Sequence, residues 1–189
     1  MTNEKPTAHC TYAAKTVAKI LLDIGAVNFR PEEAYILTSG WASPVYIDCR
    51  KLISFPRARR KVIELAARQV SDAAGYEAFD AVAGGETAGI PYSAWLADAL
   101  DLPMQYVRKK PKGFGRKARS EGDIHEGQRV LLVEDLATDG ASKVNFVNAI
   151  REAGADCKHA FGVFFYDRFE GALDERRKDD SEMHYLATL

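Results

Sequence analysis

Three short segments of the sequence carry residues that can bind a phosphorylated sugar. The first is 130–142, VLLVEDLATDGAS, in which an apolar run meets the adjacent acids Glu134 and Asp135 and then a turn with hydroxyl groups. Carboxylates accept charge-assisted hydrogen bonds from a vicinal diol. Backbone amides at the start of a following helix, with the hydroxyls of Thr138 and Ser142, are typical of a phosphate monoester site. The alternative is that the turn only caps the helix and the acids are solvated.

The second segment is strongly basic. In 108–119, RKKPKGFGRKAR, seven of twelve residues are Arg or Lys and none is acidic, although the formal charge of the whole chain is -1. Such a run attracts polyanions, and Gly113 and Gly115 allow it to fold over a ligand as catalytic lids do. A solvated loop and a nucleic-acid contact are the alternatives. No aromatic-rich strand or basic helix face accompanies the loop, so we predict a mobile lid over 108–128 and no nucleic-acid partner.

The third segment is 81–91, AVAGGETAGIP. Paired glycines after a buried strand allow backbone N–H groups to approach phosphate oxygens, and Pro91 indicates a helix start. The alternatives are an ordinary turn, and a Glu86 that binds a metal or a neighbouring helix.

Alternating strand and helix patterns connect these segments. The patterns FDAVAGG, MQYVR, VLLVED and HAFGVFFYD favour strands, and PYSAWLADALD and 146–153 favour helices. Before them come a helix stripe from Ala14 that ends near Gly25, a hairpin over AYILTSGWASPVYIDCRKL, and a helix from Pro56 to Gly75. We therefore expect an α/β fold with a mostly parallel sheet between helices, whose ligands bind at the carboxyl ends of the strands.

Composition excludes several classes of protein. The 189 residues are 47% hydrophobic and 28% charged, as in a folded single domain. Neither a secretion signal nor an apolar run of membrane-spanning length is visible, so we expect no membrane partner. The three cysteines are widely spaced and fit neither a disulfide framework nor a zinc site, which indicates the cytoplasm.

These motifs together carry a resemblance. VLLVEDLATDGAS is similar to the phosphoribosyl-diphosphate signature of the type I phosphoribosyltransferases. Within that superfamily, TSGWASPVYIDCRKL, GGETAGIP, YVRKKPKGFG and YDRFEG resemble the orotate phosphoribosyltransferase family, in that order from about Tyr35 onward. The resemblance implies transfer of ribose 5-phosphate from 5-phosphoribosyl 1-diphosphate (PRPP) to N1 of orotate, with Mg²⁺ held mainly by PRPP rather than by protein ligands.

The resemblance also implies site residues. The positions that match PRPP contacts are Arg108, Lys109, Lys112, Glu134, Asp135, Leu136, Ala137, Thr138, Asp139, Gly140, Ala141 and Ser142, and the catalytic positions among them are Lys112, Lys109 and Asp135. Thr138 and Arg168 match orotate contacts, Tyr46 and Ile47 flank the base, and Thr87 and Ala88 lie in the pyrophosphate loop. The lid residues of this family commonly act in the partner subunit's site, so a homodimer is implied.

The sequence departs from the family at four positions. Phe114 replaces a common lid histidine, Thr38 a hairpin lysine, and Ala88 a lysine that some members carry. Asp139 adds an acid beside the expected phosphate site, where it repels the ligand unless its side chain points away.

We expect one phosphoribosyltransferase domain over 1–189. It divides into a helix and hood hairpin (1–55), a core with the lid (56–168), and a C-terminal segment (169–189) that completes the hood. In that segment MHYLATL resembles the family's last strand, and the sequence ends before the helix that usually follows, as in a truncated copy. Two other functions use the same signature: purine phosphoribosyl transfer, and PRPP sensing by a non-catalytic regulator. The first lacks the Arg168 context and the second needs an added nucleic-acid surface.

Overall fold

A computed structural model of the chain describes residues 8–37, 40–111, 119–137, 141–165 and 180–188. The helices are α1 (Ala8–Asp23), α2 (Pro56–Ala74), α3 (Gly89–Leu100) and α4 (Ala141–Glu152), with a 3-10 helix at Cys49–Ser54. The strands are β1 (Val27–Phe29), β2 (Tyr35–Ile36), β3 (Ala42–Ser43), β4 (Val45–Ile47), β5 (Ala81–Gly85), β6 (Met104–Val107), β7 (Ser120–Glu121), β8 (Arg129–Ala137), β9 (Asp156–Phe165) and β10 (Glu182–Thr188). None of the described helices has the length and apolar character needed to cross a membrane.

The main sheet has six strands in the order β10-β9-β8-β5-β6-β7. All neighbours are parallel except β6 and β7. Helices cover both faces, which confirms the predicted architecture and explains the continuous apolar run of β8. Leu131 and Val133 pack in one hydrophobic core with α1, α2 and α3, whereas Val130 and Leu132 pack in a second core with α4.

Unequal strand lengths open the sheet beside β8. β5 pairs with β8 only from Ala81 opposite Val130 to Gly84 opposite Val133. β8 continues beside β9 as far as Ala137, two residues beyond the predicted strand VLLVED, because β9 offers partners as far as Phe165. From residue 134 onward, one edge of β8 therefore has no β5 partner.

The predicted hairpin is correct only in its first half. β2 pairs with β3, but β4 pairs with β1 instead. The chain bends between β3 and β4 at Pro44, where the Ser43 hydroxyl donates to the Val45 carbonyl oxygen at 2.7 Å and accepts from the Val45 amide at 3.2 Å. Two small sheets, β1–β4 and β2–β3, thus form the N-terminal part of the hood.

Two further boundaries differ from or extend the predictions. α3 begins at Gly89, two residues before Pro91, since proline is tolerated throughout the first turn of a helix. Residues 183–188 of the segment MHYLATL lie in β10, which adds a parallel edge strand to the main sheet beside β9.

Candidate functional site

A cavity of about 790 Å³ lies at the carboxyl ends of β5 and β8. Its wall includes residues of all three segments that the sequence singled out, together with the hood. The wall residues are Ile36, Leu37, Tyr46, Ile47, Arg50, Ile53, Gly85, Glu86, Thr87, Ala88, Gly89, Pro91, Lys109, Glu134, Asp135, Leu136 and Ser142. This volume and mixture of apolar and charged groups suit a small phosphorylated molecule and a planar base.

The two adjacent acids leave β8 in opposite directions. Successive strand residues point to opposite faces of a sheet. Glu134 lies on the α4 side, where its Oε1 is 2.9 Å from the place that a Cβ on Gly85 would take. Asp135 lies on the hood side, where its charge interacts with Arg50 and Asp48. The cavity therefore has one carboxylate on each side of the strand end, and both border the space left by β5.

Arg50 is a site residue that the sequence reasoning missed. Its Nε donates to Asp48 Oδ1 at 3.0 Å and its Nη2 donates to the Tyr46 hydroxyl at 2.7 Å. The 3-10 helix that carries Arg50 is fastened to α3, since the Tyr92 hydroxyl donates to the Cys49 carbonyl oxygen at 2.5 Å. The available signal was the pattern YIDCR, in which an acid and an arginine two residues apart follow a strand that enters the hood.

Burial raises the pKa of Asp135, and the positive charge of Arg50 opposes that rise. A buried carboxylate is less stable in its ionised form, and Arg50 favours that ionised form, which accepts hydrogen bonds. Because Asp48 in turn fixes the guanidinium, the ionisation of Asp135 depends on the hood.

Arg50→Gln should move the acid limb of ligand binding at this cavity to higher pH. Without the guanidinium the pKa of Asp135 rises further, so the ionised form is lost at a higher pH as the solution is acidified. The measurement is the affinity for a sugar phosphate between pH 5 and 9. Arg50→Lys, which keeps the charge, is the matched control. An unchanged acid limb in Arg50→Gln would show that Arg50 does not tune this acid.

The glycines of β5 and α3 are required by close packing. A Cβ on Gly84 would lie 2.6 Å from the Gly89 carbonyl oxygen, and one on Gly85 would lie 2.5 Å from the Phe146 ring. A Cβ on Gly89 would overlap the Val133 carbonyl oxygen. Gly84 and Gly85 lie inside β5 rather than in the turn after it. They allow β5, α3 and α4 to approach β8 at the residues just before its acids.

The described ends of the segment predicted to be a lid are fixed to the core. The Lys109 amide donates to Glu86 Oε2 at 2.8 Å, and the Arg108 amide donates to the Arg119 carbonyl oxygen at 2.7 Å. Arg119 Nη2 donates to Asn145 Oδ1 at 2.9 Å, which ties the lid to α4. Glu86 therefore binds the backbone at the start of the predicted lid.

Some of the residues predicted to contact substrate line the cavity, and others do not. Lys109 lines the cavity of its own chain, as do Thr87, Ala88, Leu136 and Ser142. Arg108 lies outside the cavity wall, with its Nη1 3.9 Å from Glu121 Oε1. Ala137 is buried beside Phe165 at the end of β8, and Ala141 begins α4. Thr38, Lys112, Phe114, Thr138, Asp139, Gly140 and Arg168 lie outside the described residues.

The sequence of the chain is similar to the sequences of named proteins. No family model matches the chain. The chain is 57% identical over 175 residues to a protein of Ruegeria sp. (strain TM1040) named orotate phosphoribosyltransferase, covering 93% of this chain and 77% of the relative. It is 54% identical over 178 residues to a protein of the same name from Sinorhizobium fredii, covering 94% of this chain and 77% of the relative.

The fold of the chain also matches solved structures. A crystal structure of orotate phosphoribosyltransferase from Aeropyrum pernix superposes with a TM-score of 0.78 at 32% identity, covering 92% of this chain and 93% of that one. A crystal structure of adenine phosphoribosyltransferase from Thermoanaerobacter pseudethanolicus superposes with a TM-score of 0.61 at 19% identity, covering 77% of this chain and 88% of that one. The second likeness shows a shared fold alone.

Proposed function

Since the chain belongs to the orotate phosphoribosyltransferase family, we propose that the cavity at the carboxyl ends of β5 and β8 is its active site. The chain transfers ribose 5-phosphate from PRPP to N1 of orotate, which gives orotidine 5'-monophosphate and pyrophosphate in pyrimidine biosynthesis. The observation that carries the proposal is the meeting of Glu134, Asp135, Lys109 and residues 85–89, which join β5 to α3, at one cavity. This set offers anion acceptors for a sugar and cations and amides for phosphates.

The proposed pose follows from the charges of the wall. Glu134 and Asp135 accept hydrogen bonds from the ribose hydroxyls, because carboxylates form charge-assisted hydrogen bonds with a diol. The 5'-phosphate lies at the start of α4 beside Ser142, where the backbone amides and the helix dipole favour an anion. The pyrophosphate faces Thr87, Ala88 and Lys109.

Orotate occupies the hood side of the cavity. Tyr46, Ile47 and Ile36 give apolar and aromatic surface for a planar ring. We assign the orotate contacts to Thr138 and Arg168 by the family match, because a guanidinium fork suits a planar carboxylate. Asp135 and Arg50 then lie on the part of the wall beside the junction of base and ribose.

The reaction needs charge stabilisation more than proton transfer. As the bond from C1 to pyrophosphate breaks, positive charge grows on the ribose ring and negative charge on the leaving group. The carboxylates at the end of β8 lie on the sugar side, and Lys109 with the lid cations lies on the leaving-group side, so the wall is complementary to the transition state. A closed lid excludes water that would otherwise hydrolyse the sugar cation.

The cavity wall also fits magnesium. Mg²⁺ takes oxygen ligands and is commonly held by one or two carboxylates together with substrate phosphates. Glu134 and Asp135 supply carboxylate oxygens on the cavity wall. When bound, the ion would neutralise phosphate charge on PRPP and on the departing pyrophosphate.

Lys112→Ala should lower kcat about tenfold or more and change orotate binding little. A tenfold loss of kcat corresponds to ~1.4 kcal/mol of lost transition-state stabilisation. Its proposed partner is the leaving group, whose charge grows only as the bond breaks. Steady-state kinetics and orotate titration measure the two quantities. Lys110→Ala removes the same charge from the same loop at a position without a family match, and it is the control. Equal losses of kcat and orotate affinity in Lys112→Ala would contradict the lid role.

We propose further that 1–189 act as one phosphoribosyltransferase domain in a cytoplasmic homodimer. In this dimer Lys109 serves the site of its own subunit, and lid residues beyond it, such as Lys112, reach the partner subunit's site. Phe29, Trp41 and Phe55 support the dimer, because they expose large apolar surface on and near the hood outside the cavity wall. In this arrangement, co-expressed Asp135→Asn and Lys112→Ala chains form mixed dimers with one intact site. We expect such a mixture to regain about a quarter of wild-type activity on random pairing. Lids that act in their own subunit would give no recovery.

The direct assay of substrate choice mixes the protein with PRPP, Mg²⁺ and each of orotate, adenine, hypoxanthine and uracil. Loss of the free base is followed by absorbance. We expect turnover of orotate alone. Turnover of a purine would support the purine phosphoribosyltransferase alternative, and absence of any turnover with retained PRPP binding would support the regulator.

A further inference from the structure

A cluster of metal-binding side chains lies at the edge of the sheet opposite the cavity. His159 and Glu182 are register partners near the amino ends of β9 and β10. His184 follows Glu182 by two residues and so points to the same face of the sheet. The cavity lies at the carboxyl ends of the strands, so the reaction described above does not use this cluster.

The donor atoms of the cluster converge. His159 Nδ1 is 3.0 Å from His184 Nε2 and 3.7 Å from Glu182 Oε2, and all three donor atoms lie within 4.8 Å of one another. Tetrahedral Zn²⁺ has bonds of about 2.0–2.2 Å to imidazole nitrogen and carboxylate oxygen, which place its donors roughly 3.3–3.5 Å apart. The two measured separations lie on either side of this value. In the part of the chain that the structure describes, no other group of three such residues converges in this way.

We propose that His159, Glu182 and His184 bind one divalent transition-metal ion of the Zn²⁺ class. Two imidazoles and one carboxylate form a three-ligand set that suits zinc and leaves a fourth position open. A second cavity, of about 540 Å³, lies beside His159 and Glu182 and gives that fourth position access from solvent.

The surroundings hold the two rings in place. His159 stacks on His184 with ring centroids 5.3 Å apart and meets the Phe79 ring edge-on at 5.4 Å. His184 is itself buried, so its ring has little freedom to move. The metal takes the place of the proton that the two rings otherwise share.

The neighbouring cations do not block the cluster. Lys158 Nζ pairs with Asp156 Oδ2 at 2.7 Å, and Arg151 Nη2 donates to the Cys157 carbonyl oxygen at 2.7 Å. Both cations line the second cavity, and both are directed to partners outside the cluster. A bound ion would join β9 to the edge strand β10 and raise the melting temperature of the protein, since it binds the folded state alone.

The test is calorimetric titration of the metal-free full chain with Zn²⁺, without PRPP. We expect one ion per chain, and weakening of the affinity by at least about tenfold, or ~1.4 kcal/mol, in His159→Ala and in Glu182→Gln. His125→Ala removes an exposed histidine outside the cluster and is the matched control, which should bind as the wild type does. Cys10→Ser and Asp135→Asn exclude binding by a thiol or by the cavity acids.

Co²⁺ gives an independent readout that does not depend on activity. A tetrahedral site should show visible absorption bands in the wild type that His159→Ala lacks. Because His184 is buried, substitution there risks misfolding, and the partly exposed His159 carries the test instead. Orotate turnover should be unchanged in His159→Ala, which separates this site from the active site. Wild-type protein without stoichiometric Zn²⁺ binding, or equal binding by His159→Ala, would overturn the proposal.

Discussion

Asp135→Asn is expected to lower kcat/KM for PRPP about 100-fold or more while the fold stays intact. The carboxylate is proposed to accept charge-assisted hydrogen bonds from the ribose, and bonds of this kind contribute ~1.5–3 kcal/mol each. Two such bonds correspond to a loss of at least about 100-fold. Asparagine has almost the same shape but lacks the charge, so the loss reports on electrostatics rather than on packing.

The Asp135→Asn substitution should also change the stability of the folded protein. Burial raises the pKa of Asp135, so the folded state binds a proton more tightly than the unfolded state does. The ionised side chain therefore costs stability as pH rises through its pKa, and a neutral amide removes that cost. We expect the melting temperature of Asp135→Asn at pH 7 to equal or exceed that of the wild type.

Asp48→Asn is the matched control for this variant, because Asp48 is a neighbouring carboxylate outside the cavity wall. Its effect on kcat/KM should be much smaller and should act through Arg50, to which it is bonded. If Asp135→Asn retained full kcat/KM, the proposed sugar contact would be absent. A large fall in its melting temperature would instead assign Asp135 a structural role.

Gly89→Ala is expected to damage both the fold and the site. A Cβ at this position would overlap the Val133 carbonyl oxygen, which belongs to the backbone of a core strand and cannot rotate away. Overpacking of this kind costs about 1–3 kcal/mol, and each kcal/mol lowers the melting temperature of a domain of this size by roughly 2–4 °C. Val133 directly precedes Glu134, so displacement of β8 also moves the acids and should lower kcat/KM.

Gly162→Ala is the control for that prediction. Gly162 lies in the neighbouring strand β9, where a Cβ would meet the flexible Met183 side chain at 3.0 Å rather than backbone. Thermal unfolding and steady-state kinetics of the two variants make the comparison. Similar melting temperatures for Gly89→Ala and Gly162→Ala would show that the contact with Val133 relaxes easily.

The fold was largely predictable because its strands and helices have clear patterns. The apolar run of β8 and the stripe of α2 are long enough to identify a buried strand and an amphipathic helix. Their alternation then restricts the topology to a parallel sheet with ligands at one edge. The three segments that border the cavity were found in this way before any contact was known.

Other features depend on contacts that no local pattern contains. β4 pairs with β1 across 18 residues of sequence, from Asn28 to Tyr46, whereas local turn signals favoured pairing with β2. Arg50 reaches the cavity only because the 3-10 helix packs on Tyr92. Short strands and irregular segments take their positions from tertiary packing, so Arg50 was missing from the predicted site, and Tyr46 and Ile47 entered it only through the family resemblance.

The most direct test of the sugar site compares PRPP with analogues that lack either the 2- or the 3-hydroxyl of the ribose. Equilibrium binding with Mg²⁺ is measured for wild-type protein, Asp135→Asn and Glu134→Gln. We expect removal of a hydroxyl to weaken wild-type binding by about tenfold or more. In the variant that lacks the matching carboxylate, the same removal should have almost no further effect, because the losses from two partners of one hydrogen bond do not add. An equal loss in wild type and both variants would contradict the claim that Glu134 and Asp135 hold the ribose.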